Sequence, residues 1–230
     1  MKILMFSDTH GHHNVLRINP CDLLIFAGDS TAQNTRPSHY DFHMWLNNQP
    51  AKHIICILGN HDDQGKAAYN VWKRRLHDEF PRIHFVRHGP LEIGGVKIFC
   101  ISSGVKRDKL TSPMSGSPRY DFLWKQIPDD TEILILHEPP SGILNNPGYE
   151  PGDTYFRELR EKIAAMPQLK LCVFGHAHES SGEMDIEGVH FVNASICNEF
   201  NFPDNPVREF DFPCRTAAQR PVPQEQKLVI

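Results

Sequence analysis

Five short segments of this 230-residue chain carry side chains of the kinds that bind metal ions. They offer carboxylates, imidazoles and one amide, and each segment comes directly after a run of apolar residues. The segments are Asp8-Thr9-His10, Gly28-Asp29, Gly59-Asn60-His61-Asp62, His137 and Gly175-His176-Ala177-His178. Side chains that follow the strands of a parallel or mixed sheet meet at one edge, where α/β proteins build their sites. The pattern therefore predicts a metal centre.

The seven candidate ligands form a mixed nitrogen and oxygen set without sulfur. They are Asp8, His10, Asp29, Asn60, His137, His176 and His178. Such a set suits Mn, Fe, Zn, Co or Ni and argues against a thiolate zinc site or a calcium site. Seven ligands are too many for one ion but fit two if a carboxylate bridges them. Asp29, which follows a glycine after a buried strand, is the predicted bridge.

Two divalent ions held in this way can bind phosphoryl oxygens, lower the pKa of the water between them and hold it in line with phosphorus. The leaving oxygen then needs a proton. We predict that His61 is the general acid and that Asp62 orients or charges it. His12, Asn34 and Arg36 are candidate substrate-binding residues, each with the alternative of a solvated loop residue. His13 shares the loop of His12 and the same two alternatives, and the other seven histidines, His39 and His43 among them, are assigned to the surface or to strand packing.

The apolar runs before the five segments predict the strands that position them. These runs cover residues 3–6, 23–26, 54–58, 133–136 and 171–174. Helical spacing predicts helices over 41–46, 66–80 and 154–166, and hairpin turns are predicted at Gly94-Gly95 and Glu187-Gly188. The order of elements predicts an α/β (α+β) fold, a four-layer αββα sandwich of two mixed sheets flanked by helices. Residues 1–212 are the predicted domain, and 213–230 an extended or partly disordered tail.

Composition narrows the classes of partner. The net charge of −4 gives no basic excess, so a nucleic acid is not an expected partner. No run approaches the roughly 18–20 apolar residues of a membrane span. The first apolar run is too short for a signal peptide, and the six cysteines are scattered. We therefore expect a cytoplasmic protein without disulfides; the sequence indicates no oligomeric state.

The five segments, in this order, resemble the motifs of the calcineurin-like metallophosphoesterases. The resemblance implies that Asp8, His10, Asp29 and His178 hold one metal. It implies that Asp29, Asn60, His137 and His176 hold the other, with His61 near the scissile phosphate. A finer similarity, over residues 1 to about 212, is to the metallophosphoesterase-domain-containing proteins and the class III cyclic-nucleotide phosphodiesterases. It lies in Ser7–Gly11, His137-Glu138-Pro139-Pro140, Phe174–Glu179 and Val192-Asn193-Ala194-Ser195.

The sequence departs from the motifs of two phosphatase classes in this superfamily, which argues against both classes. Gly28-Asp29 does not continue into the Asp-Arg-Gly of protein Ser/Thr phosphatases, and no tyrosine follows Asp29 as in purple acid phosphatases. The expected function is a dinuclear-metal phosphodiesterase, with manganese the first choice, in which a metal-bridging hydroxide attacks a small phosphodiester such as a cyclic nucleotide in line. The alternatives are a phosphomonoesterase or nuclease of the same superfamily, or a scaffold with little turnover.

Overall fold

The structure, a computed structural model, describes residues 1–32, 35–62, 78–103, 124–145 and 154–213. Within these ranges eleven strands form two sheets. The first sheet contains β1 (Lys2–Phe6), β2 (Cys21–Phe26), β3 (Ala51–Cys56), β4 (Ile83–Phe85) and β11 (Arg208–Asp211). Its strand order is β11-β1-β2-β3-β4, and only the β11–β1 pair among these is antiparallel.

The second sheet is also mixed. Its strands are β5 (His88–Ile93), β6 (Val96–Ile101), β7 (Ile133–Leu136), β8 (Leu171–Phe174), β9 (Gly182–Ile186) and β10 (Val189–Asn193). The order is β5-β6-β7-β8-β10-β9, with antiparallel hairpins at both edges and parallel pairs between them. An isolated parallel bridge between Ser7 and Ser195 joins the segments that follow β1 and β10.

Alternation along the strands explains the layers. Ile3 and Met5 point into a core between the two sheets, whereas Leu4 and Phe6 point to the opposite face. That outer face of the first sheet is covered by α1 (Arg36–Asn47) through Phe42 and Leu46. Each such side chain contributes about 1.5–3 kcal/mol when fully buried.

The outer face of the second sheet is covered in the same way. It packs against α2 (Thr154–Ala164), whose Leu159 and Ile163 belong to the same buried cluster as Leu134 and Cys172. The predicted four-layer sandwich of two mixed sheets is therefore confirmed.

The predicted elements agree with the described ones except in a few places. The helix α1 begins at Arg36 rather than near residue 41, because Thr35 caps it by accepting a hydrogen bond from the N–H of Ser38. The strand β11 was not predicted; it pairs with β1 in the register Lys2 to Asp211, and Phe212 beyond it packs in the core. Most of the predicted helix 66–80 and the tail from residue 214 lie outside the described residues. No described helix is long and apolar enough to cross a membrane.

Candidate metal centre

The seven predicted ligands lie at one edge of the sandwich, in the segments that follow β1, β2, β3, β7 and β8. Four of them have left-handed backbone conformations, which residues other than glycine rarely adopt. Their φ angles are 53° at Asp8, 41° at His10, 61° at Asp29 and 68° at His176. Such a conformation costs on the order of 1–3 kcal/mol and persists only where the surroundings impose it. The fold therefore stores backbone strain at the predicted ligands.

Two groups of three side chains bring their ligand atoms within 4.8 Å of one another. The first group is Asp8, His10 and His178. In it, Nε2 of His178 lies 3.4 Å from Oδ1 of Asp8 and 3.2 Å from Nε2 of His10. Imidazole nitrogen and carboxylate oxygen atoms that converge in this way have the chemistry of a site for a divalent transition metal.

The second group is Asp29, His137 and His176, and Asn60 lies beside it. The amide oxygen Oδ1 of Asn60 is 2.9 Å from Nε2 of His137 and 2.9 Å from Nδ1 of His176. The carboxylate atom Oδ2 of Asp29 is 3.4 Å from Nε2 of His137 and 3.9 Å from Nε2 of His10. One oxygen of Asp29 therefore lies between the two groups.

The electrostatics of the cluster favour a cation. Asp8, Asp29 and His137 are almost fully buried. Burial alone would lower the pKa of His137, but the charge of Asp29 and its hydrogen bond outweigh burial and raise this pKa to about 10. Burial would likewise raise the pKa of Asp29, yet His137 and the N–H of His61 hold it below the usual range. Two buried carboxylates thus create a negative potential that a bound metal ion would balance.

Carbonyl groups behind the cluster fix the orientation of two imidazoles. Nδ1 of His137 donates to the carbonyl of Ala27 at 2.8 Å, and Nδ1 of His178 donates to the carbonyl of Asn198 at 3.1 Å. Because Nδ1 faces a carbonyl, Nε2 of each ring faces the carboxylates and is the nitrogen that would bind a metal ion. This is the arrangement by which proteins set the tautomer of a metal-binding histidine.

Asn193 joins two of the segments that carry ligands. Its buried amide donates to the carbonyl of Ala177 at 2.7 Å and to the carbonyl of Leu144 at 3.1 Å. Its own amide oxygen accepts from the N–H of Ser195. Ala177 separates the two histidines of the last motif, and Leu144 lies in the loop after His137. The asparagine thereby ties these two loops together.

Asp62, which is predicted to orient or charge His61, has backbone N–H groups as hydrogen-bond partners in the structure. Its buried carboxylate accepts hydrogen bonds from the N–H groups of Asp29 (2.7 Å), Ser30 (3.0 Å) and Gly59 (3.0 Å). The hydroxyl of Ser30 donates to it as well, at 2.7 Å. Burial, with a smaller effect from the nearby Asp29 charge, raises the pKa of Asp62 to about 6. Several N–H donors in the loops attract this carboxylate, so Asp62 holds the loops after β2 and β3 together.

Glycines beside the ligands are required by close approach. A Cβ atom on Gly59 would lie 1.9 Å from Oδ1 of Asp29, and one on Gly175 would lie 2.2 Å from Oδ2 of Asp8. Both distances are far below any real contact between such atoms. Glycine is therefore required before Asn60 and before His176 for a steric reason. The carboxylate of Asp29 or Asp8 occupies the space that a side chain would need.

An open cleft of about 390 Å³ lies over the two groups. Its lining residues are His10, His12, Asp29, Ala32, His61, His176, His178 and Asn201. His61 is exposed there, and its ring centroid lies 5.0 Å from that of His10. Of the three candidate substrate-binding residues, His12 lines the cleft. Arg36 is the exposed first residue of α1 and is not among the lining residues, and Asn34 lies outside the described residues.

Sequence reasoning missed two kinds of residue near the site. His39 and His43 are buried on α1, not at the surface or on a strand, and Nδ1 of His39 is 3.1 Å from the hydroxyl of Ser30 that contacts Asp62. Asn201 lines the cleft although it belongs to none of the five motifs. Helical spacing places His39 and His43 on the same face as the apolar Phe42 and Leu46, a signal that could have found them. No comparable signal marks Asn201.

Comparisons with known proteins agree with this geometry. The family model described as calcineurin-like phosphoesterase matches residues 1–180. Metallophosphoesterase domain-containing protein 1 of Homo sapiens is 28% identical over 235 residues, which cover 92% of this chain and 71% of the human protein. A Synechococcus protein named probable cyclic nucleotide phosphodiesterase is 26% identical, covering 69% of this chain and 58% of its own length.

A solved structure shows the same fold. The Thermus thermophilus protein TT1561 covers 84% of this chain and 88% of its own, with a TM-score of 0.51 and 14% identity. The match of the family model spans more than half of the chain and includes every predicted ligand. The chain belongs to the calcineurin-like phosphoesterase family.

Proposed function

We propose that this protein is a dinuclear-metal-dependent phosphodiesterase that hydrolyses a small phosphodiester, such as a cyclic nucleotide. The observation that carries the proposal is the position of Asp29. Its Oδ2 atom lies within 4 Å of a nitrogen from each group of ligands, as a bridging carboxylate requires. We propose manganese as the metal, with Fe, Zn, Co and Ni as alternatives for the same nitrogen and oxygen donors.

When bound, two such ions would supply Lewis acidity toward phosphoryl oxygens and lower the pKa of a water molecule. Asp8, His10 and His178 would hold one ion, and Asn60, His137 and His176 the other, with Asp29 shared. The buried carboxylates of Asp8 and Asp29 supply the negative charge. The backbone carbonyls of Ala27 and Asn198 accept hydrogen bonds from His137 and His178 and keep these rings oriented.

His61 is the proposed proton donor to the leaving oxygen. Its side chain lines the cleft, while its backbone N–H donates to Oδ1 of Asp29 at 2.8 Å. This contact anchors the residue beside Asp29, the proposed bridge, and leaves its ring exposed in the cleft. His12, on the same cleft, is the proposed contact for a phosphoryl oxygen or a sugar hydroxyl.

Two further observations bear on substrate and location. The name of the Synechococcus relative favours a small diester as the substrate. The net charge of −4 argues against a nucleic acid, since phosphate contacts need basic residues. The described cysteines at 21, 56, 100, 172 and 197 are all free thiols, which fits the reducing cytoplasm that we propose as its location.

The test compares diesters with monoesters on one metal-stripped sample reloaded with Mn²⁺. We expect hydrolysis of 2′,3′- or 3′,5′-cyclic AMP and of bis-p-nitrophenyl phosphate, with weaker hydrolysis of p-nitrophenyl phosphate. A preference for the monoester would overturn the diesterase assignment. Two metal ions per chain are expected by elemental analysis of the same sample.

His61→Gln should lower kcat by roughly 10²- to 10⁴-fold, the usual contribution of a positioned proton donor. Its metal content should stay at the wild-type value, because no metal-binding atom is removed. His53→Gln, at an exposed histidine on β3, is the matched control. Wild-type kcat in His61→Gln would count against the acid assignment while leaving the metal sites in place.

A further inference from the structure

The loop of residues 198–204, which follows β10 at the site edge, exposes two large aromatic side chains. Phe200 is 70% exposed and Phe202 is 60% exposed, the former the highest value among the exposed large hydrophobic residues described. Each phenyl ring could bury about 150–250 Å² of surface in a contact. A pair of exposed phenylalanines two residues apart is therefore a candidate for binding an apolar or aromatic group.

The loop is held in one conformation by its first residue. Oδ1 of Asn198 accepts hydrogen bonds from the N–H groups of Phe200 (2.9 Å) and Phe202 (3.0 Å). The backbone N–H of Asn198 donates to the carbonyl of Phe202 at 2.8 Å. The side-chain amide of Asn198 also donates to Asp204 at 2.6 Å. The two phenyl groups are thus carried on an ordered backbone, which reduces the entropy lost when a ligand binds.

The same loop is attached directly to the metal centre. The carbonyl of Asn198 accepts from Nδ1 of His178, and Asn201, between the two phenylalanines, lines the cleft over the ligands. The amide of Asn201 offers both a donor and acceptors, and its backbone is left-handed with φ of 61°. The loop therefore stands beside the place where the phosphate of a substrate would bind.

We propose that Phe200 and Phe202 bind the aromatic base of a nucleotide substrate whose phosphate occupies the cleft. The inference rests on the proposed function for the identity of the phosphate site. Bases stack on aromatic side chains whatever their sequence, because every base presents a flat π-face. Neither phenyl ring can donate a hydrogen bond, so the two rings favour an aromatic base over a bare sugar phosphate without themselves selecting one base over another.

Equilibrium binding to the Mn²⁺-loaded chain tests the inference without any turnover. The probes are AMP and ribose 5-phosphate, which share a sugar and a phosphate and differ in the base. In Phe200→Ala and Phe202→Ala we expect AMP to bind roughly 5- to 150-fold more weakly than in the wild type, the range measured for loss of one base stack. The Kd of ribose 5-phosphate should stay unchanged. Phe200→Trp and Phe202→Trp, which keep an aromatic face, should restore AMP binding.

Met184→Leu is the matched control, since Met184 is an apolar residue on β9 with 41% exposure. Equal losses for AMP and ribose 5-phosphate, or AMP affinity within twofold of the wild type in both alanine variants, would overturn the inference. So would a change of sedimentation coefficient in those variants without a change in AMP binding, because the phenylalanines would then serve self-association. The two failures are distinguishable. If the alanine variants lose AMP affinity but the wild-type chain hydrolyses no phosphodiester, base binding by Phe200 and Phe202 is supported and the proposed function is refuted.

Discussion

Gly59→Ala should disable the metal centre while the fold persists. Gly59 precedes Asn60, and a Cβ atom there would lie 1.9 Å from Oδ1 and 2.5 Å from Cγ of Asp29. An ordinary van der Waals contact needs about 3.4 Å, so Asp29 or the backbone of the segment after β3 must move by roughly 1.5 Å. Asp29 cannot yield easily, because its own backbone N–H is held by Asp62 and its Oδ1 by the N–H of His61.

The expected magnitude follows from that displacement. A shift of about 1 Å at a reacting group costs on the order of 10²-fold in rate, so kcat with Mn²⁺ should fall at least that far. Overpacking should also lower the free energy of unfolding by about 1–3 kcal/mol. Manganese content per chain, measured by elemental analysis after dialysis, should drop below the wild-type value.

Gly182→Ala is the matched control for this change. A Cβ atom on Gly182 would meet Leu144 at 3.6 Å and the carbonyl of Ser180 at 3.9 Å, which are ordinary contacts. That variant should keep wild-type metal content and kcat. Wild-type metal content and kcat in Gly59→Ala would refute the reasoning, because Asp29 would then tolerate the displacement and could not be the shared ligand.

Two further predictions concern stability. Asp62→Asn should lower the free energy of unfolding by about 1–3 kcal/mol in urea titrations, because one amide oxygen cannot replace a carboxylate that accepts from Asp29, Ser30 and Gly59; an unchanged transition would contradict that role. Burial lowers the pKa of His43 to about 3, so between pH 3 and 6.5 the unfolded chain binds a proton that the folded chain does not. This term should make the metal-free protein about 2 kcal/mol less stable at pH 5 than above pH 7.5. His43→Gln should remove that part of the pH dependence, and the same pH difference in the variant would argue against it.

The clustering of the candidate ligands was predictable because they follow regular strands. The sequence shows the apolar run of each strand, as in Ile3–Phe6, and the residue at which that run ends. Once the strands are placed, the sheet brings Asp8 and Asp29 together without further information. The glycines, which leave room for carboxylates, are local signals too.

What escaped prediction depends on contacts between distant segments. The side chain of Asp62 turns toward N–H groups of the loop after β2, about thirty residues earlier, and not toward its neighbour His61. His39 is buried because the same carboxylate and Ser30 lie under α1. The strand β11 has only four residues, three of them charged and one aromatic. It is a strand because its backbone pairs with β1. Neither the partners of Asp62 nor the pairing of β11 follows from a periodic pattern in the sequence.

The pairing of β1 with β11 bears on how the protein is made in the cell. Lys2 is aligned with Asp211, so the strand that leads to Asp8 gains its outer neighbour only after more than two hundred residues have been synthesised. The bridge from Ser7 to Ser195 and the carbonyl of Asn198 behind His178 are equally late. Contacts of such long sequence separation form slowly. Before β11 has been synthesised, a growing chain should therefore lack these supports of the site, and metal ions should bind stably only after β11 has paired with β1.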